Sequence, residues 1–387
     1  MSTSSAIAKM TEHFATLTDH RVERTKYHEL IDIVVIALCG VICGCNSWED
    51  LPKYGRAKRD WLRRYLRLTN GIPSADTFAR VFQRLDPDEF IRCMQEWLGA
   101  IRNAAAGAGG EEIVAIDGQT SMGSDNTAFG GRGPLHLVRA WATRQRLVLG
   151  QLACAEKSNE IEAIPRLLAL LNIEGAIVTI DAMGCQTEIA EKIVEKKADY
   201  VLSLKDNHPK FHQAVRKMFE EEQARAASGL KPRYRVFTTH DTGHGRQEQR
   251  TYYQMAVPKN LPGAERWKNL RSLGMVIRRR TIQGVEQQEV QFYISSLPVK
   301  VRRLAKAIRG HWSIENQLHW MLDVVFAQDA SRIRKGNGPE ISSMLRQLAL
   351  MILTQDTQLK GSLTGKRKQA GWNNDHLEAL LLQITTR

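Results

Sequence analysis

Apolar and polar positions fall into three differently patterned stretches. Residues 1–105 carry helical spacing. Leu30 to Cys45 is the longest apolar stretch; it contains Asp32 and is too short to span a bilayer, so the spacing predicts a buried helix over Tyr27 to Cys45. Leu51 to Asn70 sets Trp61, Leu62, Tyr65 and Leu66 as an apolar stripe against Lys53, Arg56, Lys58, Arg59, Arg63, Arg64 and Arg67, with Asp60 opposing them. This predicts a basic amphipathic helix suited to phosphate contact, or simply a solvated face. Ser74 is a candidate N-cap for a helix through Leu85, Asp86-Pro87-Asp88 breaks it, and Glu89 to Ile101 forms the next. Short helices about a tight turn have a helix-turn-helix outline, which ordinary packing also produces. Asn103 to Gly110 is Ala/Gly-rich and reads as a linker.

The pattern then changes to strands at Ile113–Ile116, Leu135–Thr143, Leu147–Ala155, Ala176–Ile180 and Tyr200–Leu204, with helices at Ile161–Leu171 and Thr187–Lys197. Three strands, the last two a hairpin around Arg144-Gln145-Arg146, followed by alternating helix and strand, is the ribonuclease H-like order. Beyond it come a charged helix, Phe211 to Ala227, and four strands, Tyr234–His240, Gln247–Ala256, Ser272–Thr281 and Glu286–Ser295. Helical patterning resumes at Val299, and Lys360 to Lys368 adds a basic segment with Gly361 and Gly365. The expected fold is α/β: an all-helical N-terminal, DNA-binding or associated domain over 1–105, a ribonuclease H-like core starting at 110–205, an inserted mostly-β subdomain over 206–300, a helical completion of the core over 301–356, and a basic tail over 357–387.

Composition narrows the partners. With 55 Lys and Arg against 42 Asp and Glu the formal net charge is +13, which favours a polyanion. The cysteines, Cys39, Cys43, Cys45, Cys93, Cys154 and Cys185, contain no CxxC pair and no finger spacing. Reduced, buried thiols in an intracellular protein are expected. Met1 to Lys9 lacks the pattern of a signal peptide.

Candidate chemistry rests on three acids. Asp117 ends the apolar run Ile113-Val114-Ala115-Ile116, Asp181 ends Ala176-Ile177-Val178-Thr179-Ile180, and Glu315 lies in the helical stretch from His311 to Gln317. Taken singly, Asp117-Gly118 is an ordinary turn and Asp181 an ordinary helix cap. Two carboxylates at neighbouring strand ends repel unless a cation lies between them, and a third from a helix completes a divalent-metal site. Asp323 and Asp329 compete with Glu315 for the third place, and His319 shares the broad face of Glu315 and Asp323.

The segments Ala115-Ile116-Asp117-Gly118-Gln119, Thr179-Ile180-Asp181-Ala182-Met183-Gly184-Cys185-Gln186 and His311-Trp312-Ser313-Ile314-Glu315-Asn316 through His319-Trp320 resemble bacterial insertion-sequence DDE transposases of the ISAs type, also called H-repeat-associated proteins. Leu204-Lys205-Asp206-Asn207, His244 to Arg250, and Leu322 to Phe326 with Asp329, Arg332 and Arg334 extend the resemblance, as does the helical N-terminal region. The resemblance implies a ribonuclease H-like enzyme that hydrolyses DNA at element ends and transfers the 3′-hydroxyl strand to target DNA. It implies Mg²⁺ or Mn²⁺, two ions per site, held by Asp117, Asp181 and Glu315. It further implies double-stranded DNA as partner, a homodimer on two DNA ends, and a place in the bacterial cytoplasm with the nucleoid. One departure stands out: where other transposases with a β insert carry Tyr and Arg before the glutamate and Lys after it, this chain has Ile308, His311 and Leu322. Arg309, His311 and His319 are the candidates to replace them. Lys205, His244, Arg246, Arg250, Arg332 and Arg334 are further DNA-contact candidates, and Trp267 and Trp312 are candidates for stacking on an unpaired base. Two alternatives are a nuclease of the same fold without transposition and an inactive, transposase-derived DNA-binding protein.

Overall fold

The structure is a computed structural model that describes residues 4–106, 111–154, 159–243, 246–282 and 284–385. The N-terminal helices are α1 (Ser4–Phe14), α2 (Leu30–Ile42), α3 (Asp50–Ala57), α4 (Arg59–Leu62), α5 (Ala75–Arg84) and α6 (Pro87–Ala106). Helix α2 is apolar on every side and is buried accordingly. Ser74 caps α5 by accepting the Thr77 N–H. The basic stretch from Leu51 is not one helix. It breaks at Lys58, beyond which Trp61 Nε1 and Tyr65 Oη each donate to Glu378 Oε1 over 2.6 Å. The expected linker begins as helix, because Ala104 to Ala106 favour continuing α6; residues 107–110 lie outside the described residues.

The central part follows the expected order closely: β1 (Ile113–Ser121), β2 (Leu135–Ala142), β3 (Leu147–Cys154), α7 (Glu160–Leu170), β4 (Ile177–Ile180), α8 (Thr187–Glu195), β5 (Asp199–Leu204) and α9 (Pro209–Ala227). Then come β6 (Arg235–Gly243), β7 (Arg246–Ala256), β8 (Ser272–Ile282) and β9 (Val285–Ser295). All lie in one nine-stranded sheet, ordered β3-β2-β1-β4-β5-β9-β8-β7-β6. β1, β4 and β5 run parallel, and the remaining pairs are antiparallel. The β-rich segment is therefore joined edge-on to the core sheet. β9 pairs with β5, Leu202 opposite Ile294, and the meander runs outward from there.

Helices cover both faces of the inner sheet. Ile164, Leu167, Ile189, Ile193, Val215 and Phe219 from α7, α8 and α9 pack against Val114, Ile116, Val178, Ile180, Tyr200 and Leu202. On the other face, α10 (Val301–Ser313) lays Leu304, Ala307 and Ile308 over Ile113, Ile177 and Val201. A π-helical turn (Ile314–His319) and α11 (Trp320–Val324) continue α10, followed by α12 (Gly338–Gln355), α13 (Leu363–Trp372) and α14 (Asn374–Thr385). Leu318, Leu322, Leu345 and Leu348 share one apolar core with Val34, Phe82 and Trp97, so the N-terminal helices and the helical end of the chain bury each other. The basic segment near the C-terminus is not a solvated tail. Lys366 and Arg367 are buried in α13: Lys366 Nζ donates to the Asp356 carbonyl over 2.7 Å, and Arg367 lies 4.2 Å over the Phe326 ring and donates to the Val41 carbonyl. Among the described residues no helix is long and apolar enough to cross a membrane.

Candidate active site

The parallel ladder of β1 and β4 pairs Ile116 with Ile180, and the next residue on each strand is an acid, Asp117 and Asp181. β4 ends there because the Asp181 carboxylate turns the chain, its Oδ1 accepting the N–H groups of Met183 and Gly184 over 3.1 and 3.3 Å. β1 does not end. It continues to Ser121 against β2, so Asp117 lies within a strand, opposite Arg139, at the point where β1 loses β4 as a neighbour. Glu315 comes from above, in the π-helical turn; such turns recur at functional sites. His311 Nδ1 and Thr179 Oγ1, 3.1 Å apart, fasten the end of α10 over β4.

Asp117, Asp181 and Glu315 line one cleft together with Lys205, His311 and Trp312. His319 closes its floor: Nδ1 lies 3.5 Å from Glu315 Oε2 and 3.7 Å from Asp117 Oδ2. Among the described residues no lysine or arginine comes within 4.0 Å of any of the three carboxylates. Burial, then the charge of Asp181, pushes the Asp117 carboxyl up to about 7. The His319 ring holds Glu315 below its ordinary value, and burial lowers His319 and His311, favouring neutral imidazoles. Asp117 and Glu315 with the His319 imidazole, their donor atoms within 4.8 Å of one another and no lysine or arginine among the described residues in ion-pairing range, are a donor set that fits a divalent cation.

A family model described as "Transposase DDE domain" matches residues 108–352, and one described as "DDE_Tnp_1-associated" matches 11–98. The chain belongs to the DDE transposase family. The "H repeat-associated putative transposase YhhI" of Escherichia coli K12 is 36% identical over 380 residues, 97% of this chain and 98% of its own. YncI of Escherichia coli O157:H7, whose name also carries the word transposase, is 36% identical over 97% of this chain and 95% of its own. The solved piggyBac transposase synaptic complex with hairpin DNA superposes with a TM-score of 0.41 at 10% identity, over 99% of this chain and 79% of that one, a likeness too slight to identify a fold.

Around the acids of this family member, the other expected residues separate into distinct groups. Lys205 stands exposed at the lip of the cleft, just past β5. Trp312 is half-exposed there, with the Arg278 guanidinium 5.8 Å from its ring centre. Trp267 is no stacking platform: it is 5% exposed and stacks on Phe211 in the core. His319, 3% exposed and facing carboxylates, is not a DNA contact either. Arg250 and Arg309 both pair with Asp241, at 2.6 and 3.1 Å, and buried Glu248 holds Arg250 and Arg280, so the charge of Arg250 is balanced within the protein. His244 lies outside the described residues, as does the Arg246 side chain. Arg334 Nε donates to the Gly123 carbonyl over 3.0 Å, while Arg332 is exposed. Ile308 and Leu322, at two of the departing signature positions, are core residues.

The rival third acids point elsewhere. Asp323 Oδ2 accepts from Gln119 over 2.9 Å, and Asp329 Oδ1 accepts the Met122 N–H over 2.7 Å. Two features behind the site escaped the pattern reading. Arg139, fully buried, donates to Gln119 Oε1 over 2.6 Å and Ser343 Oγ over 2.9 Å, tying β1 to α12; burial lowers it to about 10. On the opposite face, His136 Nε2 meets Glu160 Oε1 at 2.7 Å beneath Gly118, where a Cβ would come within 2.3 Å of that same oxygen. An arginine inside the apolar run Leu137-Val138-Arg139-Ala140-Trp141 was the available signal for the first; nothing in the spacing of His136 and Glu160 announced the second.

Proposed function

We propose that this DNA transposase uses Asp117, Asp181 and Glu315 to hold two divalent cations, Mg²⁺ or Mn²⁺, in a ribonuclease H-like core. The observation that carries the reading is the meeting of these three acids, distant in sequence, in one cleft, with no lysine or arginine among the described residues within ion-pairing distance of any of them. The strand order β3-β2-β1-β4-β5 supports the ribonuclease H-like assignment, with β6–β9 as its extension. Ions bound there supply Lewis-acid stabilisation to the attacking and leaving oxygens of a phosphoryl displacement. The protein does the rest by placement. β1 and β4 fix two carboxylates in register, the π-helical turn brings the third, and His311 fastens that helix to β4. Lys205 contacts a backbone phosphate at the lip, and Trp312 offers a face to an unpaired base.

Two displacements follow at this one site. Water attacks the phosphorus at an element end, and the P–O bond to the 3′ oxygen breaks. The freed 3′-hydroxyl then attacks a target phosphodiester, forming one P–O bond as another breaks and its oxygen leaves. Each is an in-line exchange at phosphorus, so no covalent protein–DNA bond is required. The protein acts as a homodimer on two DNA ends, in the bacterial cytoplasm with the nucleoid. A supercoiled donor plasmid carrying this gene with its native flanks, incubated with a target plasmid, purified protein and Mg²⁺, tests this. Joined donor–target molecules are expected. Nicking without joined products points to a nuclease, and binding without nicking to an inactive descendant.

A further inference from the structure

Hydrogen bonding holds the His319 ring only through a long contact to Glu315. Its Nε2 is buried and meets no partner among the described residues, so nothing on that side sets the imidazole. What the ring faces is Glu315 Oε2 at 3.5 Å and Asp117 Oδ2 at 3.7 Å, both longer than the roughly 2.7–3.2 Å of a good N–H···O bond. Those separations suit a different relation. Donors about 2.1 Å from one octahedral ion stand about 3.0 Å apart when adjacent and about 4.2 Å when opposite. The donor atoms of Asp117, Glu315 and His319 all lie within 4.8 Å of one another.

We propose that His319 is a metal ligand, its Nδ1 joining Asp117 and Glu315 in a mixed oxygen–nitrogen site that favours Mn²⁺ over Mg²⁺. The inference rests on the reading of these carboxylates as cation holders. Magnesium takes oxygen donors in near-ideal octahedra, whereas imidazole suits the first-row transition metals. A nitrogen fixed in the floor of the site therefore strengthens manganese binding more than magnesium binding. The Glu315–His319 spacing of four residues sets both donors on one face across the π-helical turn.

The test uses the whole, DNA-free protein. Mn²⁺-loaded protein examined by electron spin-echo envelope modulation should show coupling to a coordinated ¹⁴N, shifted by ¹⁵N-histidine labelling. The signal should vanish in His319→Gln and persist in His311→Gln. Titration calorimetry should give a 10–100-fold loss of Mn²⁺ affinity for His319→Gln, against less than about threefold for Mg²⁺. Circular dichroism checks that the variant is folded. Manganese bound to the unaltered protein without nitrogen coupling overturns the proposal even if the variant fails to fold, and so does coupling that survives in folded His319→Gln. Unchanged Mn²⁺ affinity in Asp117→Asn would sink the carboxylate reading itself, a separate failure.

Discussion

The inner and outer halves of the one sheet obey different rules. Where β1, β4 and β5 lie side by side, helices cover both faces, the buried positions are apolar, and a charge is an exception that needs a physical cause. Asp117 and Asp181 stand out for that reason. In the outer meander, Val285 to Val290 are solvent-exposed and Arg278, Arg279 and Arg280 alternate with acids and amides across the strands. Arg278 pairs with Glu289 at 2.5 Å and Arg280 with Glu248 at 3.0 Å. Apart from buried Glu248, charges at this solvated surface cost little to place and contribute little to stability, so their presence implies less about function.

The sharpest way to break this contrast is to remove the inner acids. Asp117→Asn, Asp181→Asn and Glu315→Gln should each lower Mg²⁺-dependent strand cleavage by roughly a thousandfold while DNA retention in a gel-shift assay persists, because the lost donors serve the reaction rather than the grip. Asp323→Asn, whose carboxylate faces Gln119, should keep cleavage; if it fails as the three do, the third ligand has been misassigned.

Next in size is the buried guanidinium. Arg139→Ala removes one of the donors to Gln119 and to Ser343 and leaves a buried void, and should cost about 2–5 kcal/mol in urea unfolding. Gly118→Ala should cost less, roughly 1–3 kcal/mol, since the added methyl displaces the Glu160 carboxylate from His136.

Asp117 also makes the metal-free protein pH-sensitive. Its folded value, about 7, is raised above the ordinary 3.8, so between those values the folded state holds a proton that the unfolded state has released. Stability of the metal-free protein therefore falls as pH rises from about 4 to about 7. Thermal melts should show that fall, Asp117→Asn should flatten it, and Mg²⁺ should reverse it in the unaltered protein only. The smallest effect belongs to the outer sheet. Arg279→Ala should change stability in urea unfolding by no more than about 0.5 kcal/mol.

The same contrast explains what was legible from sequence. Most inner strands and their helices were found to within a residue or two, because apolar runs broken by turn residues have few other solutions; β1 was not, since its polar half, Asp117 to Ser121, reads as a turn yet pairs with β2. The acids could be read from those runs. The edge pairing of β9 with β5 could not, because strand patterns reveal which residues face a core but not which strand is the neighbour. Trp267 and His319 were left open between core and surface for a related reason: aromatic and imidazole side chains serve both, and the packing of Phe211 puts Trp267 in the core while His319 faces Asp117. The stretch at Lys366 and Arg367 read as a basic tail because nothing local announces the carbonyls of Asp356 and Val41 that receive them.

Iron-directed self-cleavage reads the central claim most directly. Fe²⁺ substituted into the site, with ascorbate and peroxide, breaks a polypeptide chain near the bound ion. The account predicts breaks beside residues 117, 181 and 315 together, suppressed by excess Mg²⁺ and lost in Asp117→Asn. Breaks confined to one of these segments, or mapping to the outer sheet, would contradict it.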